Sequence, residues 1–140
     1  MAVLRKLLRL SPGEVASLCQ TSLLLLIAEL SLRLWSVPTI LHAIERRSAR
    51  APRACAAVPT STALARLIPL VERADHHSLL RPSCLRQALV LAWLLGRRGV
   101  AASLRFGVAT EHGRLQAHAW LDLPGANALR VFADPRYTAL

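Results

Sequence analysis

The chain has 140 residues, enough for one domain with a real core and too few for a second sizeable one. Its formal net charge of +10 admits nucleic acid, anionic lipid or an acidic peptide as partner. However, only Lys6 among the 18 cations is a lysine, and the arginines are scattered through an Ala/Leu/Arg-rich composition that a GC-rich genome also produces. Aromatic residues, at 4%, are too sparse to interleave with them as base-stacking platforms, so no nucleic-acid partner is expected. Cys19, Cys55 and Cys84 lie far apart. They form no CxxC pair and no Cys/His spacing of the zinc type, which gives no support to a metal site and fits a reducing cytosol.

At the start of the chain, Arg5, Lys6 and Arg9 among leucines have the look of a signal peptide. No apolar stretch is followed by a small-residue cleavage site, so export is not expected. "LSPGE" then offers a helix start, with Ser11 as N-cap, Pro12 at the first helical position and Glu14 at the third, as in a capping box. The periodicity predicts helix from 12 to about 48, bent near Pro38, with Leu18, Leu25, Leu26, Leu32 and Trp35 on a broad apolar face. The apolar run 15–28 is cut by Glu29 and Arg33, too short and interrupted to span a membrane. A buried helix is therefore expected in preference to one on a membrane surface, with Cys19 as core filler. A Pro/Ala/Arg-rich connection, holding Cys55, covers about 49–60. A further helix runs from Thr60 or Ser61 toward Asp75, with Pro69 as a kink or boundary. His42, His76, His77 and His112 read as solvated side chains.

In "RPSCLRQALVLAWLLGRRG" Ser83 is a good N-cap, which puts Cys84 in the first helical turn. Leu85, Ala88, Leu89, Ala92 and Leu95 supply the buried face and Gly99 the stop. A thiol in that turn feels unpaired N–H groups and the positive end of the helix dipole, both of which favour the thiolate. Cys84 is therefore a candidate nucleophile, although a free cysteine can equally be a small core residue. The period then changes to two. Leu104, Phe106 and Val108 alternate with polar residues in a first strand, Gly113 turns the chain, 115–123 forms a second strand and 128–134 a third.

On the second strand Leu115, Ala117, Ala119, Leu121 and Leu123 share one face and Gln116, His118, Trp120 and Asp122 the other. A three-residue loop at Gly125, Ala126 and Asn127 would set Pro124 against Ala128 and His118 against Asp134. A carboxylate there could orient the imidazole, which would take a proton from the thiol. Another loop length turns Asp134 to the other face and leaves Asp122 as the fallback.

A cysteine opening "CLRQALVLAWLLGRRG", then "AHAWLDL", then Asp-Pro after a hairpin is similar to the papain-like transglutaminase core. Together with "LSPGE", these segments resemble the lasso-peptide biosynthesis B protein family, loosely in the helical N-terminal part and closely over 83–135. The resemblance implies an α+β fold in a single domain over 1–140. A helical part (1–78) and the Cys-bearing helix would pack on a small antiparallel sheet (79–140). It implies a cysteine peptidase of the bacterial cytoplasm that removes the leader from a ribosomally made precursor, without cofactor. The implied partners are the precursor leader, a separate leader-recognition protein and an ATP-using cyclase, with no membrane role favoured. Cys84 matches the nucleophile, His118 the base and Asp134 the third member. The oxyanion would be met by backbone N–H groups at the helix start, with Gln87 and Gln116 as candidate side-chain donors, and Trp120 could shield the pair from water. An amide-forming acyltransferase on the same scaffold and a non-catalytic peptide-binding module are the other readings.

Overall fold

The computed structural model describes residues 12–50, 61–78, 83–123 and 129–140. Among these residues, helices α1 (Pro12–Leu34), α2 (Val37–Arg50), α3 (Ser61–His76) and α4 (Cys84–Gly96) precede strands β1 (Ser103–Glu111), β2 (Arg114–Leu123), β3 (Leu129–Val131) and β4 (Thr138–Ala139). The helices pack against the antiparallel sheet in the expected α+β arrangement. The expected Ser11 cap, the connection bearing Cys55 and the loop Gly125–Asn127 lie outside the described residues.

The long helix predicted from residue 12 is two helices, broken at Trp35 and Ser36. Trp35 N–H still bonds to the Ser31 carbonyl at 2.8 Å, and Ile40 N–H bonds to Ser36 at 3.2 Å. Helical bonding therefore restarts at once, with Pro38 in the first turn of α2, where its missing N–H leaves no bond unmade. Pro69, expected to kink or end its helix, does not end it and lies within α3.

The expectation of a buried α1 is corrected. Its buried residues are Thr21 and Leu25, while Cys19 is exposed and Leu34 is 68% exposed. The reason is geometric: α1 packs through one stripe, where Leu25 meets Val71, Ala74 and Val90. By length and composition its 23 residues could cross a membrane, contrary to the sequence reading, and little of the helix is buried.

The main core lies between α4 and the sheet. Ala88, Leu91, Ala92 and Leu95 of α4 meet Leu64 and Leu67 of α3 and Leu121, Leu123 and Val131 of the sheet. Each fully buried leucine contributes about 1.5–3 kcal/mol relative to an exposed one.

The sheet order is β3-β2-β1-β4. His112 and Gly113 have φ of 50° and 74° between the paired Glu111 and Arg114, a two-residue turn whose twist matches a hairpin. Across β2 and β3 the pairs are Leu121–Val131, Asp122–Arg130 and Leu123–Leu129, the register expected from a three-residue loop. β4 was not anticipated. It pairs Gly107 with Ala139 on the outer side of β1, and Leu140 N–H bonds to the Phe106 carbonyl at 3.0 Å.

Candidate active site

Cys84 begins α4 as a half-buried free thiol. Ser83 has the extended backbone of an N-cap, with φ −138° and ψ 121°, as the sequence predicted. Its side chain makes no capping bond. Instead Ser83 N–H donates to Asp75 Oδ2 at 3.0 Å, and Gln87 Nε2 donates to the same oxygen at 2.8 Å. Asp75 Oδ1 accepts from Arg86 Nε at 2.9 Å and from Arg86 Nη2. Arg86 Nη1 also reaches Glu29 Oε2 of α1 at 3.2 Å, and Glu29 Oε1 accepts from Arg33 Nε at 3.1 Å.

Asp75 and Arg86 are almost wholly buried, at 0% and 1% exposure. Burial of this kind is tolerable because two guanidinium groups meet two carboxylates and the buried atoms are hydrogen-bonded. Gln87, a candidate oxyanion donor, has one N–H committed to Asp75.

His118 lies on β2, on the face opposite the leucines that pack on α4. Its Nε2–H donates to the Phe132 carbonyl at 2.6 Å. A carbonyl can only accept, so in the neutral ring the proton sits on Nε2 and Nδ1 keeps its lone pair. The imidazole lies 4.8 Å from the Tyr137 ring and stacks on Trp120 at 6.2 Å, centroid to centroid. Trp120 is buried and close over Gly107. Its Nε1 has no partner among the described residues. Gln116, the other candidate donor, accepts a bond from Tyr137 Oη at 3.1 Å.

The register runs toward a His118–Asp134 pairing, but β3 stops at Val131. Phe132 follows with φ of 64°, a left-handed conformation that costs an aromatic residue strain. Its ring packs in the core while its carbonyl meets His118. Asp134 turns to Arg136, accepting from the Arg136 backbone N–H and Nε at 3.0 Å and from Nη2 at 2.6 Å. Those side-chain and backbone bonds hold its carboxyl down, from 3.8 to about 2, with a smaller push from the His118 charge. Asp122 pairs with Arg105 at 3.2 Å and stands 3.7 Å from Arg130.

Among the described residues, no hydrogen bond joins Cys84 to His118 or His118 to Asp134. The orienting acceptor for His118 is a backbone carbonyl, and Asp134 reaches it through charge alone. No group of three or more metal-ligating side chains occurs among the described residues.

Sequence reasoning missed Asp75, Glu29 and the Phe132 carbonyl. Arg86 was the available signal, because a charge inside "CLRQALVLAWLL" needs a counterion if its helix is buried.

Residues 24–136 match the profile of the transglutaminase-like superfamily, a span that contains Cys84, His118 and Asp134. No curated protein and no solved structure matches the chain significantly.

Proposed function

The chain belongs to the transglutaminase-like superfamily, in the family of the lasso-peptide biosynthesis B proteins, and from that membership we propose that it is the cysteine peptidase that removes the leader from a lasso-peptide precursor. The observation that carries the reading is the placement of Cys84. It is a half-buried free thiol in the first turn of a core helix, beside backbone N–H groups that the Ser83 hydroxyl does not cap.

In this reading Cys84 Sγ attacks the carbonyl of the last leader residue and forms a carbon–sulfur bond, while backbone N–H groups at the start of α4 meet the oxyanion. His118 takes the thiol proton at Nδ1, with Phe132 holding Nε2–H, and gives a proton to the departing amine as the carbon–nitrogen bond breaks. Water activated by His118 then hydrolyses the thioester and releases the leader as a carboxylate. The step requires Nδ1 within reach of Sγ once substrate is bound, since such bonds commonly tighten only in the complex. Asp134 supports the imidazolium by charge. The reaction takes place in the bacterial cytoplasm with a separate leader-recognition protein, and the freed amine passes to an ATP-dependent cyclase.

Mass spectrometry of a precursor incubated with this protein and a leader-recognition protein tests the reading. One peptide bond should be cut, with Cys84→Ala and His118→Ala abolishing cleavage while circular dichroism stays native. A precursor left intact contradicts the reading, and a product carrying a new amide at the leader carbonyl points to acyl transfer instead.

A further inference from the structure

We propose that Asp75 is a positioning residue for Cys84, setting where the thiol lies from a different helix; this rests on the reading of Cys84 as the nucleophile. In a capping box the N–H of the N-cap residue is met by a side-chain acceptor three residues later in the same helix. Here that position is Arg86, which can only donate. Asp75 takes the acceptor's place from the end of α3, receiving Ser83 N–H at 3.0 Å.

The carboxylate holds the first turn of α4 at three points. They are Ser83 on one side of the thiol and Arg86 and Gln87 on the other. A helix held only at Arg86 could still slide or rotate in its first turn, carrying Sγ with it. Contacts on both sides of Cys84 fix both motions. A buried partner for Arg86 would need only the Oδ1 contacts. Asp75 places its second oxygen on the backbone next to the thiol and on Gln87. Ser83 N–H thus has its acceptor outside the helix, while the Ser83 hydroxyl makes no capping bond. Glu29 completes the arrangement by sharing the Arg86 charge, which lets Asp75 serve two masters, backbone and guanidinium, without leaving a cation unmatched.

The test replaces the buried pair by apolar residues of similar volume, Asp75→Leu together with Arg86→Met. Exchanging both partners spares the protein an unpaired buried charge. Three quantities are read: the thermal midpoint, the rate at which iodoacetamide alkylates Cys84, resolved from Cys19 and Cys55 by peptide mapping, and kcat and KM for leader removal. The expected result is a midpoint near that of the native protein, Cys84 alkylation slowed at least about tenfold, and a loss in kcat larger than any rise in KM. A variant whose stability and Cys84 reactivity both match the native protein overturns the proposal.

If the double variant does not fold, Gln87→Leu removes one contact from Oδ2 on a half-buried side chain and is read the same way. A smaller slowing of Cys84 alkylation with an unchanged midpoint supports the proposal, and an unchanged rate overturns it. Alkylation needs no precursor. Slowed alkylation in a protein whose native form cuts no precursor would refute the peptidase reading and leave the positioning role standing.

Discussion

His118 and Asp134 show how a pairing register can be right and a contact still differ. The hairpin aligns as the loop length implied, yet the left-handed backbone of Phe132 ends the ladder and delivers its own carbonyl to Nε2. The expected tautomer of neutral His118 therefore carries its proton on Nε2, which the ring nitrogen shifts in a 15N spectrum will report; a proton on Nδ1 would contradict it.

Asp134, lowered from 3.8 to about 2 by its bonds from Arg136, remains ionised at any pH near neutrality. Its stabilising link is fully present above the ordinary value of 3.8 and is lost as pH falls through about 2. Cleavage measured between about pH 5 and 8 should accordingly show no limb that Asp134→Asn removes, although the variant's overall rate should fall. Asp134→Ala should impair cleavage more than Asp122→Ala, whose two arginine partners are more than half exposed and add little. The sequence could place Cys84 at a helix start and His118 on a strand because the capping residue and the two-residue alternation that mark those elements are local. It could not show that a main-chain carbonyl takes the orienting place, since that depends on one unusual φ.

At the level of elements, β1 and β4 approach Trp120 so closely that position 107 tolerates no side chain. A Cβ at Gly107 would lie 2.7 Å from the Thr138 carbonyl oxygen and 2.7 Å from two atoms of the indole. Gly107→Ala should cost about 1–3 kcal/mol by overpacking and displace Trp120 from His118. The checks are a lower thermal midpoint and a change in tryptophan fluorescence; an unchanged midpoint would refute the close approach.

The helix start at Cys84 and the strands around His118 were readable because capping residues and two-residue alternation are written in neighbouring positions. An interruption near Pro38 was readable from that proline, but not that it is a full break at Trp35 and Ser36, because the apolar period continues across it. β4 carries only two residues, too few to show alternation. The exposure of α1 also escaped the pattern, since periodicity identifies an apolar face but not the amount of partner available to cover it.

Across the whole molecule, Arg86 ties three helices together. Its contact with Glu29 spans 57 positions of sequence and its contact with Asp75 spans 11. Partner choice over such distances is tertiary, so a lone charge in an apolar helix signals that a counterion is needed without saying which. Asp75→Ala, which takes from the buried guanidinium its closest carboxylate, should destabilise the fold by about 3–5 kcal/mol. That is a large share of the roughly 5–15 kcal/mol available to a domain, and denaturant unfolding should show it. A loss below about 1 kcal/mol would mean that the buried pair is not held as described.

The account stands or falls on the chemistry of Cys84. The most direct test is to quench the protein with acid during turnover of its precursor and map the acylated residue by mass spectrometry. The predicted result is a leader-sized thioester on Cys84, absent from Cys19 and Cys55 and lost in Cys84→Ala. Cleaved precursor with no adduct on Cys84 and undiminished turnover in Cys84→Ala would contradict it.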